Sequence, residues 1–192
     1  MRLTQSLVDP DELRLVCYVD DPFAAIRGTP ERQRLIATMM ILVWNALGFK
    51  LAFSKGQMGI KITWIGITIT VEKNGIRAKV KQEIIEDILC DLERFSKENV
   101  IPKKCLHSLL GKLSHVSGLL VVMRPFMEPV WKAWGSPSPE EKPGCIWRAQ
   151  IQTELDWFTA FFNGNGTSVE RFFSVDAYSR VGTIIEIGID AS

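Results

Sequence analysis

Apolar and polar positions change period several times along the chain, and each change marks an element. Leu13, Leu15, Cys17 and Val19 alternate with Arg14, Val16, Tyr18 and Asp20. A two-residue period predicts a β-strand with one buried face. Asp20-Asp21-Pro22 breaks that strand and Phe23–Ile26 returns as a second, so two carboxylates sit at the tip of a hairpin. Residues 1–12 are polar and acidic and read as a leader rather than an element. Thr29-Pro30 opens a helix, with threonine as N-cap and proline at the first helical position. Leu35, Ile36, Met39, Met40, Val43 and Leu47 keep helical spacing until Gly48 stops it.

Phe49, Leu51 and Phe53 alternate with Lys50, Ala52 and Ser54, which predicts a strand, and Lys55–Gly59 a turn. Between residues 60 and 71 the alternation flips phase. Ile60, Ile62 and Trp64 share one parity; Ile65, Ile67, Ile69 and Val71 share the other. That predicts burial on both faces, or a bulge near Trp64. Glu72-Lys73-Asn74-Gly75 predicts a hairpin in the type I′ geometry that Asn-Gly favours, with Ile76, Ala78 and Val80 on the return strand.

Helical spacing then dominates. Ile84, Ile85, Ile88, Leu89, Leu92 and Phe95 stripe a helix over 81–98, and Leu106, Leu109, Leu110, Leu113, Val116 and Leu120 a second over about 103–122. Asn99–Pro102 separates them. Gly111, Ser114, Ser117 and Gly118 are small enough for a neighbour to approach closely, a helix before a nucleic-acid backbone. Pro125 and Pro129 bound an aromatic segment ending at Trp134. Residues 135–144 have the composition of a linker, 145–162 the pattern of a helix, and 163–168 that of a loop. Ile184–Ile189 predicts a last strand that finishes on Asp190.

Composition narrows the class. The chain has 192 residues, 46% hydrophobic and 23% charged, as a globular protein does. A net charge of +1 does not announce a nucleic-acid binder, but its distribution is uneven. Residues 49–81 carry seven basic residues and one acid, for +6; residues 140–190 carry four basic residues and eight acids, for −4. A basic middle suits a phosphate backbone, and equally a solvated lysine-rich sheet edge. Cys17, Cys90, Cys105 and Cys145 show no Cys-x-x-Cys spacing and read as buried or incidental thiols in a reducing compartment. His107 and His115 have no acidic or cysteine partner at ligand spacing and read as surface or groove residues. There is no signal peptide and no apolar run of the ~20 residues a membrane span needs, which points to an intracellular protein, in cytoplasm or nucleus.

The candidate chemistry lies at the first hairpin. Adjacent carboxylates repel, and a divalent cation relieves the repulsion. Mg²⁺ takes oxygen ligands and keeps positions open for phosphate oxygens. The plainer alternative is a polar turn, where aspartate is common.

Tyr18-Val19-Asp20-Asp21 resembles the Tyr-x-Asp-Asp signature, motif C, of reverse transcriptases. Other stretches agree in order. Leu47–Lys55 resembles motif D, whose lysine falls on Lys55; Trp64-Ile65-Gly66-Ile67-Thr68-Ile69 resembles motif E, the primer-grip hairpin. Leu106–Ser114, with Arg124-Pro125 beyond, looks like the second thumb helix of retrotransposon enzymes, and Trp147–Trp157 like the tether that follows. Ile189-Asp190-Ala191-Ser192 resembles the opening of an RNase H domain, with Asp176 in Val175–Ser179 as a second candidate for its first aspartate. The set is most similar to DIRS and gypsy-like retroelement polymerases.

The resemblance implies an α+β chain. Residues 1–80 would be the C-terminal half of a polymerase palm, an antiparallel sheet with a helix, and 81–134 a helical thumb. Residues 135–168 would be linker and connection helix, and 169–192 a truncated RNase H-like opening. It implies RNA-directed DNA synthesis by two-metal nucleotidyl transfer, with Mg²⁺ or Mn²⁺ as cofactor and an RNA/DNA primer–template and dNTP as partners. Asp20 would coordinate metal with Asp21 in support, Asp190 would serve the RNase H site, and Lys55 would meet the nucleotide. Tyr18, Trp64, Gly66, Lys73, Arg77, Lys79, Lys103, Lys104 and Lys112 would contact nucleic acid.

The departures are specific. Motif A, with its own metal-binding aspartate, has no counterpart, since Asp9 and Asp11 sit in a turn-like Asp-Pro-Asp-Glu; motif B and the fingers are missing. The expectation is therefore an internal piece of a polyprotein that neither polymerises nor cleaves RNA alone. The alternatives are a non-catalytic nucleic-acid-binding module and a polymerase remnant without a stable fold.

Overall fold

The computed structural model describes residues 2–135, 143–164, 169–179 and 181. They form a mixed helix-and-strand protein whose sheets are antiparallel, within the α+β class expected. The chain divides into two compact units, Met1–Ile65 and Gly66–Ser192. The division falls earlier than the expected boundary after residue 80.

In the first unit, β1 (Leu13–Tyr18) and β2 (Asp21–Ile26) form the hairpin, and α2 (Pro30–Ala46) packs on it. The stem owes its stability to Leu13 and Leu15, buried with Val8, Ile36 and Met40. The Thr29 hydroxyl accepts from the Arg32 N–H at 3.3 Å, and Gly48 leaves the helix at φ 81°, as the sequence predicted for both ends. The apolar stripe of α2 is only partly used: Ile36 and Met40 are buried, whereas Leu35, Leu42 and Leu47 are exposed. Cys17 is exposed too, because the core of this unit ends at Leu15.

Three expectations for this unit need correction. The leader contains a short helix, α1 (Arg2–Gln5), pinned by Trp44, whose indole N–H donates to the buried Thr4 hydroxyl at 2.9 Å. The Phe49–Phe53 alternation makes no strand. Phe53–Lys55 is a turn of 3₁₀ helix, Phe49 and Phe53 are exposed, and no described strand pairs with the segment. The phase flip at 60–71 is a turn rather than a bulge. It separates β3 (Lys61–Trp64) from β4 (Ile67–Glu72) through consecutive positive φ at Ile65 (42°) and Gly66 (76°). A β-branched residue rarely adopts that conformation.

The second unit has the deeper core. Its sheet runs β4, β5 (Gly75–Val80), β8 (Glu170–Ser174), all antiparallel. Ala78 and Val80 of β5 face α3 (Gln82–Ser96), α4 (Lys103–Leu119), α5 (Arg124–Gly135) and α6 (Gln152–Phe162) across one apolar cluster. Phe95, Leu106, Leu109, Leu110, Leu113 and Phe158 are fully buried there, each worth about 1.5–3 kcal/mol relative to exposure. Trp157 stacks on Phe126, with centroids 3.8 Å apart, and on Phe161 at 5.0 Å.

Here too the sequence reading is corrected. Glu72 pairs with Gly75, so Lys73-Asn74 is the hairpin loop, and neither has the positive φ that type I′ requires. Gly75 serves a different end: a Cβ there would run into the Phe173 carbonyl and the Phe172 ring of β8. Residues 99–102 and 145–147 are not separator and helix start. They pair as β6 (Val100–Pro102) and β7 (Cys145–Trp147). Gly111 and Gly118 have nothing within 4 Å of an added Cβ among the described residues, so none of these approaches closely there. Pro129 lies inside α5 rather than bounding it.

β4 and β5, expected with the palm, belong with the helices. The segment expected to open a separate domain starts with β8, paired to β5. No described helix is long and apolar enough to cross a membrane. Most of the predicted linker (136–142) and the predicted last strand with Asp190 lie outside the described residues.

Candidate functional site

The hairpin apex is where the sequence placed it. Tyr18 pairs with Asp21, which leaves Val19-Asp20 as a two-residue loop. Val19 has φ 55° and is 85% exposed. Asp20 and Asp21 are both exposed, and among the described residues neither makes an ion pair. Two unneutralised anions on adjacent residues of a stem anchored at Leu13 and Leu15 form a spot of negative potential.

Trp64 closes one side of this apex. Its indole N–H donates to the Asp21 main-chain carbonyl at 3.1 Å, and its ring lies 5.2 Å from that of Phe23. Behind it, Gln57 Nε2 donates to the Thr63 carbonyl at 2.9 Å while the Thr63 N–H donates to Gln57 Oε1 at 2.8 Å, which ties the preceding loop to β3. Sequence reading gave Trp64 an outward role. Its partner lies 43 residues away, and no local pattern carries that information.

The chemistry of the site suits a hard divalent cation, since both groups are carboxylates. The number of ligands falls short. Among the described residues no group of three His, Cys, Asp or Glu is placed to hold a metal ion. Tyr18 is exposed beside the apex, and Lys55 ends the 3₁₀ turn instead of a strand, also exposed.

The predicted nucleic-acid cations fall into two groups. Three are engaged within the second unit. Arg77 bonds Glu72 and Glu170, each at 2.6 Å, and lies over the Phe172 ring. The Arg77 hydrogen bond holds the Glu72 carboxyl below the usual range and raises the guanidinium in turn. Arg77 thereby clasps β8 to β5. Lys112 bonds Asp91 at 3.0 Å, and Lys103 donates to the Trp134 carbonyl at 2.9 Å. Lys73, Lys79 and Lys104 are exposed, and among the described residues make no ion pair.

Gly66 is a packing position, since a Cβ there would meet Ile84 Cδ1 and, at 3.1 Å, His115 Nε2. His107 stacks on Trp134 at 5.1 Å and meets Trp131 edge-on. Asp176 begins the short helix α7 (Val175–Tyr178), its N–H donating to the Ser174 hydroxyl at 3.2 Å. Comparison with protein families, curated proteins and solved structures gave no match.

Proposed function

We propose that the chain carries the carboxylate-hairpin part of a retroelement reverse transcriptase, an RNA-directed DNA polymerase of the two-metal type. One observation supports this above the others: Asp20 and Asp21 stand exposed, with no ion pair among the described residues, at the apex of a stem whose apolar face is buried at Leu13 and Leu15. In nucleotidyl transfer, Mg²⁺ or Mn²⁺ activates the primer hydroxyl and steadies the triphosphate leaving group. Asp20, in the loop, supplies metal-facing oxygens, and Asp21, held in β2, supports them. Exposed Tyr18 lies beside the primer end, and Lys55 meets nucleotide phosphates.

With no third carboxylate beside the hairpin among the described residues, the isolated chain does not polymerise. A primer-extension assay with Mg²⁺ or Mn²⁺ is expected to give no template-dependent product. Extension that disappears in Asp20→Ala would show the site complete within this chain. The family reading itself is tested by Mn²⁺: paramagnetic broadening of the Tyr18–Asp21 amides at millimolar metal, abolished in Asp20→Ala, supports it. Its absence sinks it.

A second reading, nucleic-acid binding without catalysis, draws on the exposed Lys73, Lys79 and Lys104, which make no ion pair among the described residues. Binding to an RNA–DNA duplex should weaken with salt and when these lysines are neutralised.

A further inference from the structure

The strongest unexplained contact in the first unit is the one from Trp64 to the carboxylate hairpin. The turn it touches needs support. Val19 sits at φ 55°, a conformation that costs a β-branched residue about 1–3 kcal/mol. Asp20 and Asp21 repel each other at the same place. Strain and like charges both favour opening of the apex. Against them stands a bond from outside the hairpin, the Trp64 indole N–H on the Asp21 carbonyl, backed by the ring on Phe23.

We propose that Trp64 is a positioning residue for the carboxylate pair, holding the Asp21 backbone so that both carboxylates stay presented at the apex. It acts through Asp21 and touches no substrate. The metal-affinity part of this inference rests on the reading of Asp20 and Asp21 as a metal arm; the bracing part does not. An indole bound inward is not free to stack on a primer, so the proposal replaces the outward role that the resemblance implies for this residue.

The test uses the whole chain, ¹⁵N-labelled, as wild type and as Trp64→Phe, which keeps a ring against Phe23 and removes the N–H. Amide hydrogen exchange at Tyr18 and Asp21, the hydrogen-bonded pair that closes the loop, should quicken about three- to tenfold, the worth of one hydrogen bond, while Arg14 and Val16 keep their protection. The Mn²⁺ concentration that half-broadens the Tyr18 and Asp20 amides should rise by a similar factor. Phe23→Leu, which spares the N–H, should change the Mn²⁺ midpoint less. Should Trp64→Phe unfold the first unit, 3-benzothienylalanine at position 64 keeps the shape without the N–H and should give the same shifts.

Unchanged exchange at Tyr18 and Asp21 overturns the inference whatever the metal does. Faster exchange with an unchanged Mn²⁺ midpoint overturns the positioning role and leaves a structural contact. Faster exchange in a chain that Mn²⁺ never broadens supports the brace and defeats the metal reading alone.

Discussion

The two units differ in how much of their apolar surface they bury. The second closes a cluster that runs from Ala78 to Phe162 and takes in four helices. The first closes only Val8, Leu13, Leu15, Ile36 and Met40, and leaves Leu35, Leu42, Phe49 and Phe53 exposed. Yet the candidate chemistry is on the first. Local stability follows the density of buried apolar contacts, so the apex stands on the unit that opens more readily. Beside its small core this unit has two particular tryptophan contacts, Trp64 on Asp21 and Trp44 on Thr4.

Substitutions in the two cores would sharpen or break this contrast. Phe158→Ala, at a fully buried site, should cost about 3–5 kcal/mol, read as lost hydrogen-exchange protection across the helices of the second unit. Ile36→Ala should cost about 2 kcal/mol, near the low end because its thin surroundings can collapse into the space, yet expose the whole hairpin. If Ile36→Ala leaves the hairpin amides protected, the first unit is better packed than its burial indicates. Thr29→Ala, which removes the N-cap of α2, should cost about 1 kcal/mol, confined to the first unit.

Acid should produce the smallest effect and should not discriminate between the units. Hydrogen bonds from Arg32 and Arg77 lower the folded pKa of Glu12 and Glu72 from the ordinary 4.5. A depressed carboxyl contributes stability above its unfolded value and loses it as pH falls through the folded one, so the loss begins below about 4.5. Both pairs are solvated, so salt should mute the change. Glu12→Gln and Glu72→Gln should each flatten the acid limb of protection in their own unit only.

The legible parts of the fold were those encoded locally. The alternation through Leu13 and Leu15 and the Asp-Asp-Pro break foretold the hairpin, and the Thr29-Pro30 pair foretold the start of α2. The stripes through Ile85–Phe95 and Leu106–Val116 foretold α3 and α4. What escaped was set by distant partners. β6 and β7 are three residues each and exist because they pair with each other. Asn74-Gly75 spelled a type I′ turn, but the glycine answers to β8, which the local pattern does not reveal. Lysines and arginines read as free from sequence were split by tertiary structure, with Arg77 and Lys112 drawn into ion pairs by residues on other turns and strands.

The stack of Trp157 between Phe126 and Phe161 has an optical consequence. Near-ultraviolet circular dichroism arises from aromatic rings fixed in an asymmetric setting. Rings within 5.0 Å of each other, set among the α5 and α6 helices, should dominate that spectrum. Phe23–Trp64 is a single pair set against the several ring contacts of the second unit, so its share of the signal is small. A preparation whose carboxylate hairpin had come loose would therefore pass as intact by its ellipticity, and only residue-resolved methods would expose the fault.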